Sequence, residues 1–67
     1  MKKIRVGEGY ITNIELSCGK IATIDVEINK QPATFKEENA ELIKTTLEEY
    51  YKNKDATLIV EIVIEDF

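Results

Sequence analysis

The sequence predicts a small α+β domain in which one helix packs on a curved antiparallel sheet. Apolar and polar residues alternate along several strand-length runs, which is the pattern of half-buried β-strands. Only the run Ala40–Tyr50 repeats its apolar residues at helical spacing. The predicted element order is β-β-(short β)-α-β within a single domain spanning residues 1–67. A small, partly open OB-like β-barrel with one helix is the alternative fold.

The first half of the chain predicts two strands joined by a hairpin. Residues Lys2–Val6 form a short extended piece, and Gly7-Glu8-Gly9 marks a bulge, a sharp bend or a tight turn after it. Strands follow over Tyr10–Leu16 and Ile21–Asn29. The turn between them is Ser17-Cys18-Gly19-Lys20, because glycine adopts positive φ readily. Strict alternation directs inward the side chains of Tyr10, Thr12, Ile14, Leu16, Ala22, Ile24, Val26 and Ile28.

A second turn, a short strand and the helix follow. Asn29-Lys30-Gln31-Pro32 predicts a turn, and Pro32–Phe35 predicts a short edge strand because proline cannot donate to a sheet. Thr34 and Glu37 have the spacing of a capping box, and Asn39 is a competing N-cap. The helix is therefore expected to begin between Phe35 and Ala40 and to run to about Lys52, before Asn53-Lys54-Asp55. Its apolar stripe is Ala40, Ile43, Leu47 and Tyr50, flanked by Leu42 and Tyr51.

The last strand is predicted over Ala56–Glu65, the most strand-like run in the chain. Its inward side chains are Leu58, Val60, Ile62 and Ile64, and its outward ones are Ile59, Glu61, Val63 and Glu65. A long edge strand that is apolar on both faces tends to pair with another chain. We therefore expect a homo-oligomer at micromolar concentration.

Composition argues against catalysis. The chain has one cysteine and no histidine, so Cys18 lacks the base that commonly activates a thiol, and no disulfide can form within the chain. Glu37, Glu41 and Glu48 share a helix flank with Lys44 and Lys52, which is the pattern of a solvated surface. We expect no enzyme activity, no catalytic residue, no cofactor and no metal.

The charge distribution bears on location and on nucleic acid. No apolar stretch is long enough to span a membrane, and Arg5 and Glu8 interrupt any signal peptide that Met1-Lys2-Lys3 could begin. A cytoplasmic protein without membrane contact is expected. Thirteen acidic residues outnumber nine basic ones. The basic residues near strand ends are scattered, so nucleic acid is not the expected partner: Lys2, Lys3, Arg5, Lys20 and Lys30.

The outer face of the sheet is the candidate partner-binding surface. The alternation places nine aliphatic and acidic residues there: Ile11, Glu15, Ile21, Asp25, Glu27, Ile59, Glu61, Val63 and Glu65. No basic residue falls in the same register of these strands, and like charges that face one another on a sheet are destabilising. A protein partner with Lys or Arg around an apolar centre would relieve this repulsion. An ordinary half-solvated sheet is the alternative interpretation.

The layout resembles small OB-type domains of the enterotoxin B-subunit kind. The matching segments are Gly9-Tyr10-Ile11-Thr12-Asn13-Ile14, the strand Lys20-Ile21-Ala22-Thr23-Ile24, Phe35, the helix Leu42–Lys54 and the strand Ala56–Val60. The resemblance implies a non-catalytic binding module that often assembles into rings. The chain departs from that family, since it stops at Phe67 before the usual fifth strand unless Lys2–Val6 substitutes, and it has neither the secretion signal nor the paired cysteines.

Together these features predict a non-catalytic binding module. The first hypothesis is a small acidic protein–protein interaction protein, an inhibitor or adaptor of the type that phages and mobile elements encode. The alternative is a self-assembling homo-oligomeric subunit that binds a ligand between protomers. A weaker alternative is a nucleic-acid-binding accessory protein.

Overall fold

The computed structural model describes residues 1–55, 57 and 59–67. Four antiparallel strands form one open sheet in the order β3-β2-β1-β4, so β3 and β4 are its edges. The elements are β1 (Lys2–Val6), β2 (Gly9–Ser17), β3 (Lys20–Glu27), α1 (Glu37–Lys54) and β4 (Ile62–Asp66). The α+β class is confirmed, the described residues contain one helix as predicted, and their element order is β-β-β-α-β.

The segment Lys2–Val6 is a central strand. It pairs along its whole length with β4, and at its end with β2 through Arg5 and Val6. Phe35 pairs with Lys2 on the remaining part of that side, with reciprocal backbone hydrogen bonds of 2.7 and 2.8 Å. The predicted short edge strand Pro32–Phe35 is therefore reduced to an isolated bridge, and it pairs with a central strand instead of forming an edge.

Two tight turns connect the first three strands. Gly7, with φ of 62°, occupies the first central position of the β1–β2 turn, where type II′ geometry favours glycine. In the β2–β3 turn, Cys18 and Gly19 both have positive φ, at 53° and 74°. Positive φ at both central positions defines a type I′ turn, so the hairpin predicted at Ser17-Cys18-Gly19-Lys20 is confirmed.

The left-handed backbone at Cys18 leads to a stability prediction. Asn-Gly is the preferred dipeptide for a type I′ turn, because asparagine tolerates positive φ better than other side chains with a Cβ. Cys18→Asn should raise the free energy of unfolding by about 0.5–1 kcal/mol, as measured by urea denaturation under reducing conditions. Cys18→Val is the matched opposite, since a β-branched residue disfavours this backbone. Equal stabilities of the two variants would contradict the turn assignment.

Two β-bulges reverse the side-chain alternation in β2 and β3. The pairing advances two residues in β2 against one in β3 between Ile11 and Asn13, which leaves Thr12 as the extra residue. A second shift, between Glu15 and Leu16, leaves Ala22 as the extra residue of β3. Because each bulge adds one residue to one strand, the inward-facing positions before and after it do not follow a single alternation of inward and outward side chains. The strict alternation used for the sequence prediction therefore fails at both ends of this hairpin.

The corrections concern seven side chains. Ile11 is fully buried and Ile21 packs against the core, although both were predicted to face outward. Tyr10 and Thr12 lie on the outer face, where they hydrogen-bond Glu65 and Glu27. Leu16, Ala22 and Ile28 are exposed and were predicted to be inward. The inward positions of Ile14, Ile24 and Val26 are confirmed.

The helix α1 begins at Glu37 and ends at Lys54. Its N-cap is Lys36, which has extended backbone and no side-chain cap bond, so both the capping box and the Asn39 cap were wrong. Acidic residues in the first turn and basic residues in the last turn oppose the helix dipole favourably. The predicted stripe is confirmed at Ala40, Ile43 and Leu47, whereas Tyr51, and not Tyr50, packs against the core.

The last strand is shorter than predicted. β4 starts at Ile62, and Ala56 and Leu58 of the predicted strand lie outside the described residues. The backbone N–H of Gly7 donates to the Glu61 carbonyl at 2.8 Å, and the chain turns away directly after Gly7. Because β1 ends at Val6, it offers no backbone partner to the residues that precede Glu61. The inward side chains Val60, Ile62 and Ile64 were predicted correctly.

The core lies between the inner face of the sheet and α1. Among the described residues, seven buried apolar side chains belong to it: Ile4, Val6, Ile11, Ala40, Ile43, Leu47 and Ile62. Gly9 is also buried, and a Cβ at this position would lie 2.8 Å from Cγ1 of Val26. The helix covers the inner face of the sheet, so the opposite, outer face can carry charged and polar side chains.

Candidate protein-binding surface

The outer face of the sheet has a basic centre that the sequence analysis missed. The alternation in β1 sends Ile4 and Val6 into the core and places Lys3 and Arg5 on the outer face. The Arg5 guanidinium lies 2.8 Å from Oε1 of Glu61 and 3.0 Å from Oε2 of Glu65. It also donates to the Gly7 carbonyl at 2.7 Å. The expectation that the outer face lacks basic residues was therefore wrong.

Tyr10 completes this network from β2. Its hydroxyl donates to Oε1 of Glu65 at 2.8 Å, and the Lys3 ammonium lies 4.9 Å from the centre of its ring. The hydrogen bond from Tyr10 and the Arg5 guanidinium hold the pKa of Glu65 below its usual value. The same hydrogen bond raises the pKa of the Tyr10 hydroxyl. Opposite charges thus neutralise one another across the β1–β4 half of the outer face.

The network predicts a pH-dependent contribution to stability. Because the pKa of Glu65 is lower in the folded chain than its ordinary value of 4.5, the network stabilises the fold above that value. The stabilisation is lost as the pH falls through the lowered pKa of the folded state. Glu65→Gln should therefore lower the free energy of unfolding at neutral pH, and this difference from the wild-type chain should shrink at about pH 3.

The control for this prediction removes the same charge from the helix surface. Glu49→Gln lies on an exposed part of α1, so its effect on urea denaturation should be smaller at neutral pH. A Glu65→Gln effect that persists undiminished in acid would show that ionisation of Glu65 is not its source.

The other half of the outer face, on β2 and β3, is acidic. Glu27 accepts a hydrogen bond from Thr12 at 2.6 Å and pairs with Lys30 at 3.0 Å, and these contacts lower its pKa. Glu15 and Asp25 are exposed, and among the described residues neither forms an ion pair. The Asp25 carboxylate accepts a long hydrogen bond of 3.4 Å from the Asn13 amide. This half of the face therefore keeps an uncompensated negative charge.

The structure separates the nine predicted site residues into three groups. Six lie on the outer face: Glu15, Asp25, Glu27, Glu61, Val63 and Glu65. Two belong to the inner side of the sheet, since Ile11 is buried and Ile21 packs against the core, so placing them on the outer face was wrong. Ile59 precedes β4 and is 95% exposed. Reading Lys2–Val6 as a strand would have revealed the missed residues Lys3 and Arg5.

A groove on the opposite side of the molecule separates the β2–β3 turn from α1. Its volume is about 590 Å³, and Ile21 and Tyr50 form part of its wall. Lys20 and Lys54 line it from the turn and from the end of the helix, and the exposed Cys18 lies at its rim. Glu49 supplies a carboxylate to the same wall, so the groove carries both signs of charge.

Within the described residues, no group of three or more His, Cys, Asp or Glu side chains is placed to hold a metal ion. No helix in the described part of the chain combines the length and apolarity needed to cross a membrane. No protein-family model, curated protein or solved structure matches the chain. The resemblance to OB-type domains stays a prediction.

Proposed function

We propose that this chain is a non-catalytic protein-binding module, an inhibitor or adaptor that acts in the cytoplasm. The observation that carries the proposal is the uneven outer face of the sheet. On its β1–β4 half, Arg5 already satisfies the carboxylates of Glu61 and Glu65. On its β2–β3 half, Glu15 and Asp25 are exposed without an ion pair among the described residues. A partner that presents Lys or Arg to the β2–β3 half gains complementarity there.

The placement of the basic residues supports a protein partner over nucleic acid. Lys2 pairs with Asp66, Arg5 with two glutamates, and Lys30 with Glu27. A phosphate backbone would have to compete with these carboxylates for the same cations, and affinity for nucleic acid depends on several such contacts. The net charge of −4 opposes the approach of a polyanion as well.

The experiment compares two variants that remove the same charge from different faces. Glu15→Gln combined with Asp25→Asn neutralises the β2–β3 half of the outer face. Glu38→Gln combined with Glu49→Gln removes two charges from the exposed surface of α1. Proteins captured from the source cell by the immobilised wild-type chain are identified, and their association rates with each purified variant are measured at several salt concentrations.

We expect the outer-face variant to associate about tenfold more slowly at low salt, with a weaker salt dependence, because electrostatic steering is reduced. The helix variant should associate nearly as fast as the wild-type chain. Loss of binding in the helix variant, with the outer-face variant unaffected, would move the working surface to α1. A salt-sensitive mobility shift of nucleic acid by the wild-type chain would overturn the choice of partner class.

A further inference from the structure

The backbone hydrogen bonds of the edge strand β4 show which of its N–H and C=O groups point away from the sheet. Gly7 donates to the Glu61 carbonyl, and Phe67 donates to the Met1 carbonyl at 3.2 Å. In an antiparallel pair, hydrogen-bonded positions alternate with positions that point away from the partner strand. The backbone groups of Val63 and Glu65 therefore face β1, and those of Ile62, Ile64 and Asp66 face the opposite direction.

The bridge at Lys2 confirms this alternation independently. The N–H and C=O groups of Lys2 are both bonded to Phe35, on the side of β1 away from β4. The pair formed by Lys2 and Asp66 is thus a position without hydrogen bonds between the two strands. Because β4 is an edge strand, the outward backbone groups of Ile62, Ile64 and Asp66 meet no strand among the described residues.

We propose that a second copy of this chain adds to the sheet along the free edge of β4. The two β4 strands run antiparallel about a two-fold axis centred on Ile64, and they join two four-stranded sheets into one of eight strands. Ile64 faces Ile64 of the second copy, and Ile62 faces Asp66 of the second copy. The three outward positions of each strand then all have hydrogen-bonding partners, which an exposed edge otherwise lacks.

Electrostatic repulsion disfavours the two neighbouring registers of this strand pair, with the two-fold axis at Val63 or at Glu65. A two-fold axis at Val63 would place Glu61 opposite Glu65 of the second copy, and an axis at Glu65 would place two Glu65 side chains face to face. Like charges that face one another across a strand pair are destabilising. The axis at Ile64 places Val63 opposite Glu65 of the second copy. It avoids both repulsions and covers part of the Val63 side chain.

The helix surface beside this edge is self-complementary. Thr46 and Asn53 of α1 face the β2–β3 turn, which belongs to the β3 edge of the sheet. The opposite flank of the helix therefore lies toward the β4 edge, and it carries in order Glu41, Lys44, Glu48 and Lys52. Two such flanks related by a two-fold axis run antiparallel. Glu41 then faces Lys52 of the second copy, and Lys44 faces Glu48 of the second copy.

The sheet register and the helix charges both favour a copy of the same chain. An unrelated strand could bind the same backbone groups, but it would have no reason to match the alternating helix charges. A domain of about 60 residues buries a smaller fraction of its surface on folding than a larger domain does, so association is a common source of additional stability. This inference does not rest on the proposed function, because the outer face remains open in the eight-stranded sheet.

The first test changes one edge N–H and uses a matched control. Asp66→Pro removes the outward N–H, while Asp66→Ala removes only the side chain and its ion pair with Lys2. Sedimentation equilibrium should show a dimer for the wild-type chain and for Asp66→Ala. Asp66→Pro should raise the dimer dissociation constant about tenfold or more, since two bonds are lost per dimer. Only a 7.7 kDa species of the wild-type chain at millimolar concentration would overturn the proposal.

The second test determines the register between the two β4 strands by disulfide formation and needs no proline substitution. In a Cys18→Ser background, chains with Val63→Cys and chains with Glu65→Cys are mixed and oxidised. Facing positions without hydrogen bonds have Cα atoms about 4.5 Å apart, which a disulfide can bridge. We expect the mixed disulfide to exceed either homodisulfide. A dominant Val63→Cys homodisulfide, or no disulfide in chains whose circular dichroism is native, would overturn the Ile64-centred pairing.

Discussion

Leu47→Ala is expected to lower the free energy of unfolding by about 2–5 kcal/mol, as large-to-small changes in a core do. Leu47 is fully buried, with 0% of its surface exposed, and lies on the core-facing stripe of α1. The other buried residues of that stripe are Ala40 and Ile43, so Leu47 is the largest fully buried side chain that α1 supplies. Urea denaturation followed by circular dichroism measures the loss.

The control for Leu47 is a neighbouring exposed position. Thr45→Ala changes a side chain that donates to the Glu41 carbonyl at 3.1 Å on the exposed side of the helix. Its effect should stay within about 0.5 kcal/mol. If both variants shifted the denaturation midpoint equally, the core-facing side of α1 would be assigned incorrectly.

Ile11→Ala should also lower the free energy of unfolding by about 2–5 kcal/mol. The side chain of Ile11 has 0% exposure and lies in the core with Ile4 and Leu47. This expectation depends on the β-bulge at Thr12, because strict alternation from Ile14 would place Ile11 on the outer face. The measurement is the same urea denaturation.

The chain provides a chemically identical control for Ile11. Ile59 is 95% exposed, so Ile59→Ala removes the same atoms from solvent-exposed surface and should change stability by less than about 0.5 kcal/mol. A small effect at Ile11 together with an intact fold would show that this residue lies on the outer face and that β2 has no bulge at Thr12.

The outer face illustrates how one central strand changes a surface. Without β1, the carboxylates of Glu61, just before β4, and Glu65, within it, would repel each other. With β1 beside them, Arg5 contacts both, and Tyr10 donates a further bond to Glu65. The uncompensated charge is thereby confined to Glu15 and Asp25 at the other end of the sheet. The proposed binding surface is accordingly narrower than the nine residues predicted from sequence.

The sequence by itself determined the α+β class, the helix and the β2–β3 turn. These features depend on contacts between near neighbours in the chain. The spacing of Ala40, Ile43 and Leu47 fixes one face of a helix whatever it packs against, and Gly19 permits the local backbone that the turn needs. The inward side chains of β4 followed for the same reason, since its alternation has no interruption between Val60 and Ile64.

Only the tertiary structure decided the positions that depend on pairing between distant segments. A bulge is defined by the register of two strands, so neither Thr12 nor Ala22 could be recognised as the extra residue from its own strand. The start of β4 depends on the length of β1, at the other end of the chain. The charge of the candidate surface depends on the same pairing, because β1 and β4 come from opposite ends of the sequence and their pairing places Arg5 next to Glu65. Local propensity fixes which residues can form a strand, but the register between strands fixes what each side chain meets.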